Sequence, residues 1–131
     1  MSILRGFVVA ATLLLPAPAM SQQIEKQNVG TSPNQVTFRI QSKHPNKVQV
    51  TYYSQTRRGH AWPGGSQAYS LNDYNVHHHT LTCSPGEKIC YGAWVTGSGN
   101  KYWGVGPNNR YGCTGCCVTC GSGTATYTLN P

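Results

Sequence analysis

The chain has 131 residues, which is the usual size of one domain, and it carries ten basic residues against three acidic ones for a formal net charge of +7. This balance favours anionic partners, but only non-specifically, because the basic residues are scattered rather than massed in one run. The three carboxylates are Glu25, Asp73 and Glu87. A glycosidase-type pair of acids would therefore have to be Asp73 with Glu87, since Glu25 lies in a polar leader.

Residues 1–21 have the organisation of a cleaved secretory signal. Arg5 supplies the positive charge, residues 7–15 form an apolar run too short to span a bilayer, and small residues follow Pro16. Cleavage removes Arg5, so nine basic and three acidic residues remain and the net charge becomes +6. We therefore expect a secreted or periplasmic protein with no integral membrane segment after cleavage.

Residues 22–34 are polar and predict a flexible leader. From residue 35 onward apolar and polar residues alternate, which is the period of a half-buried strand. Residues 35–42 and 48–53 are two such runs, and the short turn between them predicts a hairpin.

Further short apolar runs, separated by Gly, Pro, Asn and Ser, continue to the end of the chain, and no segment has a helical stripe. The pattern predicts a single all-β domain over residues 35–131. We expect a small antiparallel β-sandwich or barrel of about seven or eight strands, stabilised by disulfides.

Six cysteines in an exported domain of this size predict three disulfides. They are Cys83, Cys90, Cys113, Cys116, Cys117 and Cys120. Cys83 and Cys90 flank a turn, and a hairpin there would place them opposite each other, so a Cys83–Cys90 bond is the first choice. The other four cysteines could close on themselves, as Cys113 with Cys117 and Cys116 with Cys120. The remaining alternative bonds this segment across the sheet to Cys83 or Cys90.

The segment from Cys113 to Cys120 also has zinc-ligand spacing. We favour disulfides over zinc because thiols of an exported chain become oxidised. No cofactor is expected.

The three consecutive histidines suggest two further functions. On a strand, His77 and His79 point to the same side, so with His44 or His60 they would form a metal site. Histidines with nearby arginines also suit phosphodiester chemistry of the kind that small secreted ribonucleases perform. The candidates for that activity are His60, His77, His79, Arg57 and Arg58.

The main functional hypothesis is a role without catalysis, either in binding or as a purely structural protein with no ligand. The sequence contains no nucleotide-binding loop, hydrolase elbow, metalloprotease helix or specific nucleic-acid motif. Aromatic side chains near cations are typical of surfaces that stack on sugars or bases. We therefore expect an envelope or extracellular protein that contacts an anionic envelope polymer or polysaccharide. The predicted ligand-binding residues are Arg57, Arg58, His60, Trp62, Trp94 and Trp103.

Overall fold

The computed structural model describes residues 32–98 and 100–131. The predicted signal peptide and the predicted leader up to residue 31 lie outside these described residues. The strands are β1 (Gln35–Ser42), β2 (Val48–Ser54), β3 (Ala61–Trp62), β4 (Tyr69–Leu71), β5 (Val76–Thr82), β6 (Lys88–Val95), β7 (Tyr102–Gly104), β8 (Cys117–Thr119) and β9 (Gly123–Leu129). One 3-10 turn, Pro107–Asn109, lies between β7 and β8.

The strands form two sheets that face each other as a sandwich. The first sheet has the order β5-β1-β9, and the second has the order β3-β2-β6-β7, with β4 beside β2 and β8 beside β6. The all-β sandwich is therefore confirmed. The described residues hold nine strands rather than seven or eight, because β3 and β8 are short strands within segments that sequence assigned to loops. One pair, β1 with β9, is parallel.

The alternating apolar residues of β1 and β2 meet in the core between the sheets. Phe38 of β1 and Tyr52 of β2 are both fully buried, with ring centroids 4.3 Å apart. Burial of each such side chain contributes roughly 1.5–3 kcal/mol. The remaining core residues that these two strands supply are Val36, Ile40, Val48 and Val50.

The predicted hairpin between β1 and β2 is wrong, because the two strands belong to different sheets. The backbone N–H of Lys43 donates to the carbonyl of Leu129 in the first sheet, at 2.9 Å. Four residues later the carbonyl of Lys47 accepts from Thr96, which follows β6 of the second sheet. Two strands with one apolar face each can bury those faces across a core as well as side by side, so periodicity did not distinguish the two arrangements.

The disulfides join Cys83 to Cys120, Cys90 to Cys117 and Cys113 to Cys116. The predicted Cys83–Cys90 bond is wrong because β5 and β6 lie in different sheets, so the turn between them crosses layers. The internal pairings of the last four cysteines are wrong for a related reason. β8 lies against β6, with Cys117 in register with Cys90, and Cys120, just after β8, is bonded to Cys83, so the segment is joined to both earlier cysteines. All six thiols are oxidised, which leaves none as a zinc ligand.

Candidate binding clefts

The side chain of Arg57 is held by a buried carboxylate. Its Nε and Nη2 donate to the two oxygens of Glu87, at 2.6 and 2.8 Å, and the Glu87 side chain is only 1 % exposed. The Ser54 hydroxyl and the backbone N–H of Ser84 also donate to this carboxylate. The hydrogen bonds from Arg57 lower the pKa of Glu87 to about 2. The charge of Arg57 is therefore balanced within the fold.

Trp62 and His60 lie beside this ion pair. The Arg57 guanidinium carbon is 5.7 Å from the centroid of the Trp62 ring, and His60 meets the same ring edge-on at 4.6 Å. The Trp62 indole N–H donates to the carbonyl of Thr82 on β5, at 2.9 Å, and so links the two sheets. Arg58 is exposed. The structure thus brings Arg57, His60 and Trp62 together.

The three predicted tryptophans lie in three separate places. Trp62 is on β3, at one edge of the second sheet, and Trp103 is on β7 at the other edge. Trp103 donates its indole N–H to the carbonyl of Asn130, at 2.8 Å. Trp94 lies on the central strand β6 between the buried residues Ala93 and Val95, so its ring points away from the core. We call this solvent-facing side of the second sheet the outer face.

Trp94 lines a cleft of about 260 Å³ on the outer face. Its indole N–H donates to the amide oxygen of Gln49, at 3.0 Å, which leaves the Gln49 amide nitrogen as a donor for other groups. Thr51 and Tyr53 follow Gln49 along the same side of β2. None of the residues that line this cleft is charged; the others are Ala61, Gly65, Ser66, Gln67, Ala68 and Asn108.

A second cleft, of about 350 Å³, lies on the same face and contains two cations. Lys88 comes from the start of β6, and Arg110 comes from the loop that follows the 3-10 turn. No carboxylate lines this cleft; the other lining residues are Gln55, Cys90, Val105, Asn109, Tyr111, Gly112, Cys113 and Cys117. Cys90 and Cys117, which both line this cleft, are bonded to each other, so the disulfide fixes the relative position of β6 and β8 there.

The loop around the 3-10 turn separates the two clefts. It crosses β6 at Gly92, where a side-chain Cβ would lie 2.1 Å from the carbonyl oxygen of Gly106, so only glycine fits. Asn108 lines the Trp94 cleft, and its backbone N–H donates to the Tyr53 hydroxyl at 2.8 Å. Asn109 lines the cationic cleft and accepts from the amide of Gln55 at 3.0 Å. The two clefts are therefore neighbours, and this loop contributes Asn108 to the Trp94 cleft and Asn109 to the cationic cleft.

The predicted metal pair His77 and His79 points into the gap between the sheets, with ring centroids 6.4 Å apart. Nε2 of His77 lies 2.7 Å from Oδ1 of Asp73. Nδ1 of His79 lies 2.6 Å from the Tyr52 hydroxyl, and burial lowers the pKa of His79 to about 4. Across residues 32–98 and 100–131, no three His, Cys, Asp or Glu side chains are grouped to hold a metal ion.

The candidates for hydrolase chemistry are divided between two elements. His60 lies in the loop before β3, where it contacts Trp62, while His77 and His79 lie on β5. Arg57 is committed to Glu87. The glycosidase-type pair of Asp73 and Glu87 is likewise split, since Glu87 is buried in its ion pair and Asp73 is exposed beside His77.

Sequence reasoning placed Trp94 on the side of its strand that faces away from the core, but it did not include the neighbours of Trp94 on β2 or the two cations of the second cleft among the candidate residues. The β2 residues had a signal, because Gln49, Thr51 and Tyr53 are the polar and aromatic half of an alternating strand and must face away from the core. Lys88 and Arg110 had none, since they meet only through the crossing of the loop over β6.

Comparison with known proteins adds no relative: no protein family, no curated protein and no solved structure matches this chain. The part of the chain that the structure describes contains no helix long and apolar enough to cross a membrane. The chain is a small disulfide-rich β-sandwich protein, and its three disulfides are typical of oxidising, extracellular surroundings.

Proposed function

We propose that this chain is an exported, non-enzymatic binding protein of the envelope or extracellular space, and that its ligand is an acidic polysaccharide. The observation that carries the proposal is the pair of neighbouring clefts on the outer face, one neutral with an aromatic wall and one cationic. A polymer of sugar rings that bear acidic groups has both features that these clefts would recognise.

The Trp94 cleft suits a sugar ring. A partly exposed indole offers an apolar surface on which the carbon face of a ring can stack, and the surrounding hydroxyl and amide groups can exchange hydrogen bonds with sugar hydroxyls. Thr51 and Gln49 lie on a central strand, and the hydrogen bond between Gln49 and Trp94 holds both side chains in place. A rigid wall of this kind lowers the conformational entropy lost on binding.

The cationic cleft suits the acidic group of a neighbouring sugar. Lys88 and Arg110 donate charge-assisted hydrogen bonds, and no carboxylate of this cleft competes for them. Arg58 and His60 remain predicted contacts, and they are secondary here because they lie on the loop beside Trp62. Arg57 and Trp62 are held by Glu87 and Thr82, and Trp103 lies at the far edge of the sheet.

The experiment compares binding of polygalacturonate with binding of its methyl-esterified form, which keeps the sugar backbone and removes the charge. Titration calorimetry at low salt should show binding of the acidic polymer and at least tenfold weaker binding of the ester. The variant Trp94→Ala should weaken binding about tenfold or more, because stacking contributes about 1–3 kcal/mol per ring. The double variant Lys88→Ala with Arg110→Ala should bind both polymers equally weakly.

The matched control removes two cations that lie outside both clefts. Lys43→Ala with Lys47→Ala lowers the net charge by the same amount, and both residues are exposed. If this control loses as much affinity as the variant with both cleft cations removed, binding is non-specific attraction to the whole basic surface, and the assignment of the clefts fails.

A further inference from the structure

Strand β9 has one unpaired side. It lies at an edge of the first sheet and pairs in parallel with β1 over Val36–Ser42, and no strand among residues 32–98 and 100–131 lies on its other side. At its two ends the N–H of Gly121 donates to Gln35 and the carbonyl of Leu129 accepts from Lys43. Backbone groups alternate in direction along a strand, so the odd-numbered residues bond to β1. The N–H and C=O groups of the even-numbered residues, Thr124, Thr126 and Thr128, therefore point outward.

This edge lacks the features that usually prevent a strand from pairing with another chain. β9 spans seven residues and contains no charge and no proline, and four of the seven are threonine or tyrosine, which favour strands. The edges of the second sheet differ, since β3 has two residues and β7 has three. Each long edge of the first sheet is capped at one end by an indole: Trp62 donates to the carbonyl of Thr82 in β5, and Trp103 donates to the carbonyl of Asn130, which follows β9. The cap at Asn130 lies beyond the end of β9 and leaves the outward groups of Thr124, Thr126 and Thr128 uncovered.

We propose that β9 pairs antiparallel with β9 of a second copy of this chain, around a two-fold axis at Thr126. The segment from Thr124 to Thr128 has threonine at its centre and both ends, so the pairing places Thr126 opposite itself and Thr124 opposite Thr128. Each contact in a two-fold interface occurs twice, which requires a self-complementary segment of this kind. The two first sheets would become one continuous sheet.

The register also satisfies the side chains. The outward threonines would form cross-strand Thr–Thr pairs on the solvent side, a favourable combination in antiparallel sheets. On the core side, the small Ala125 would lie opposite Tyr127, whose ring already packs against Tyr91 at 4.4 Å between centroids. The partly buried tyrosine would thus meet a small residue rather than a second ring.

Electrostatic repulsion does not oppose this contact at the axis. The cation in register with Thr126 is Arg39, one strand away on β1. Two copies of Arg39 would be separated by three strand spacings, about 14 Å, which exceeds the screening length of about 8 Å at physiological salt. Arg39 is therefore largely screened from its copy across the axis.

The test measures mass against concentration by sedimentation equilibrium, from micromolar to millimolar protein. The wild-type chain should pass from monomer to dimer. Thr126→Pro removes an outward N–H without touching the bonds to β1, and Thr126→Arg places two cations at the axis, so both should stay monomeric. The control Thr80→Arg adds the same charge to the exposed side of β5 and should still dimerise.

Hydrogen exchange identifies the contact independently of any variant. The amides of Thr124, Thr126 and Thr128 should exchange slowly only at concentrations where the dimer forms, while those of Ala125 and Tyr127 should be slow at every concentration. A wild-type chain that stays monomeric at millimolar concentration overturns the proposal. This holds even if β9 of that monomer is found to pair with an extended peptide. A dimer whose three threonine amides keep their monomer exchange rates overturns it as well.

Discussion

The region around Arg57 and the outer face of the second sheet have similar residues but use them differently. Both combine cations, amides or hydroxyls, and tryptophan. In the first region the guanidinium bonds to Glu87 and the indole to Thr82, so the polar groups serve the fold. On the outer face the corresponding groups line open clefts. The difference teaches that a basic, aromatic segment does not by itself indicate an open site, because a buried carboxylate can neutralise its cation.

The largest expected effect on stability comes from removing the disulfide beside Glu87, in the region around Arg57 (called the Glu87 region below). Cys83 and Cys120 are 37 residues apart, whereas Cys113 and Cys116 are 3 apart. A cross-link that closes a longer loop restricts the unfolded chain more, so Cys83→Ser with Cys120→Ser should lower the free energy of unfolding by about 4 kcal/mol. The change Cys113→Ser with Cys116→Ser should lower it by about 2 kcal/mol.

Urea denaturation of the two double variants checks this order. Equal losses would mean that the long-range bond does not organise the Glu87 region, even though the N–H of Cys120 donates to the Glu87 carbonyl at 2.7 Å. The contrast between a region whose polar groups serve the fold and a face whose polar groups line open clefts would then lose its main support.

The next largest loss of stability is expected from breaking the ion pair between Arg57 and Glu87. Glu87→Gln removes the charge but keeps the shape, and it should lower the free energy of unfolding by about 2–3 kcal/mol at pH 7, because donors that pointed at a carboxylate lose their partner. Arg57 is 42 % exposed and can regain water, which limits the loss. Asp73→Asn is the matched control, since Asp73 is exposed, and it should cost less than about 1 kcal/mol.

The same pair sets how stability responds to acid. The folded-state pKa of Glu87, about 2, lies below its ordinary value of 4.5. Its contribution is therefore complete above pH 4.5 and is lost as the pH falls toward 2. The curve of unfolding free energy against pH should be flatter in this window for Glu87→Gln than for the wild type. Parallel curves would show that Glu87 titrates normally in the folded chain.

The strands were predictable from the sequence because alternation of apolar and polar residues directly indicates an extended backbone with one buried face. Phe38 and Tyr52 occupy core positions that their spacing alone assigned to a buried face. The pairing of strands was not predictable, because Lys43–Lys47 and Ser84–Glu87 are turns that lead equally well to a neighbouring strand or to the opposite sheet. Two of the wrong assignments, the β1–β2 hairpin and the Cys83–Cys90 bond, share this cause.

The candidate site was predictable only where one strand supplied it. Trp94 followed from its position between two core residues of β6. The cleft with Lys88 and Arg110 depends on a loop that crosses β6 at Gly92, and that contact joins residues far apart in sequence. The role of Arg57 was hidden for the same reason, since its partner Glu87 lies 30 residues away.

The smallest expected effect on stability concerns His79, whose ring is partly buried in the gap between the two sheets. Burial lowers its pKa from 6.5 to about 4, so its contribution to stability is complete above pH 6.5 and is lost as the pH falls through 4. Because the ring is only partly buried, the loss should be about 1–2 kcal/mol. His79→Gln keeps an acceptor for the Tyr52 hydroxyl but cannot titrate, so its curve should stay level between pH 6.5 and 4.5.

His78→Gln is the control, because His78 lies on the exposed side of the same strand, and it should keep the wild-type slope. Chemical denaturation at half-unit pH steps separates this window from the lower one of Glu87. A wild-type curve that is already level from pH 6.5 to 4.5 would show that His79 gains a proton without cost. The gap between the sheets at Tyr52 would then be open to water, and this position would belong with the solvent-exposed clefts rather than with the Glu87 region.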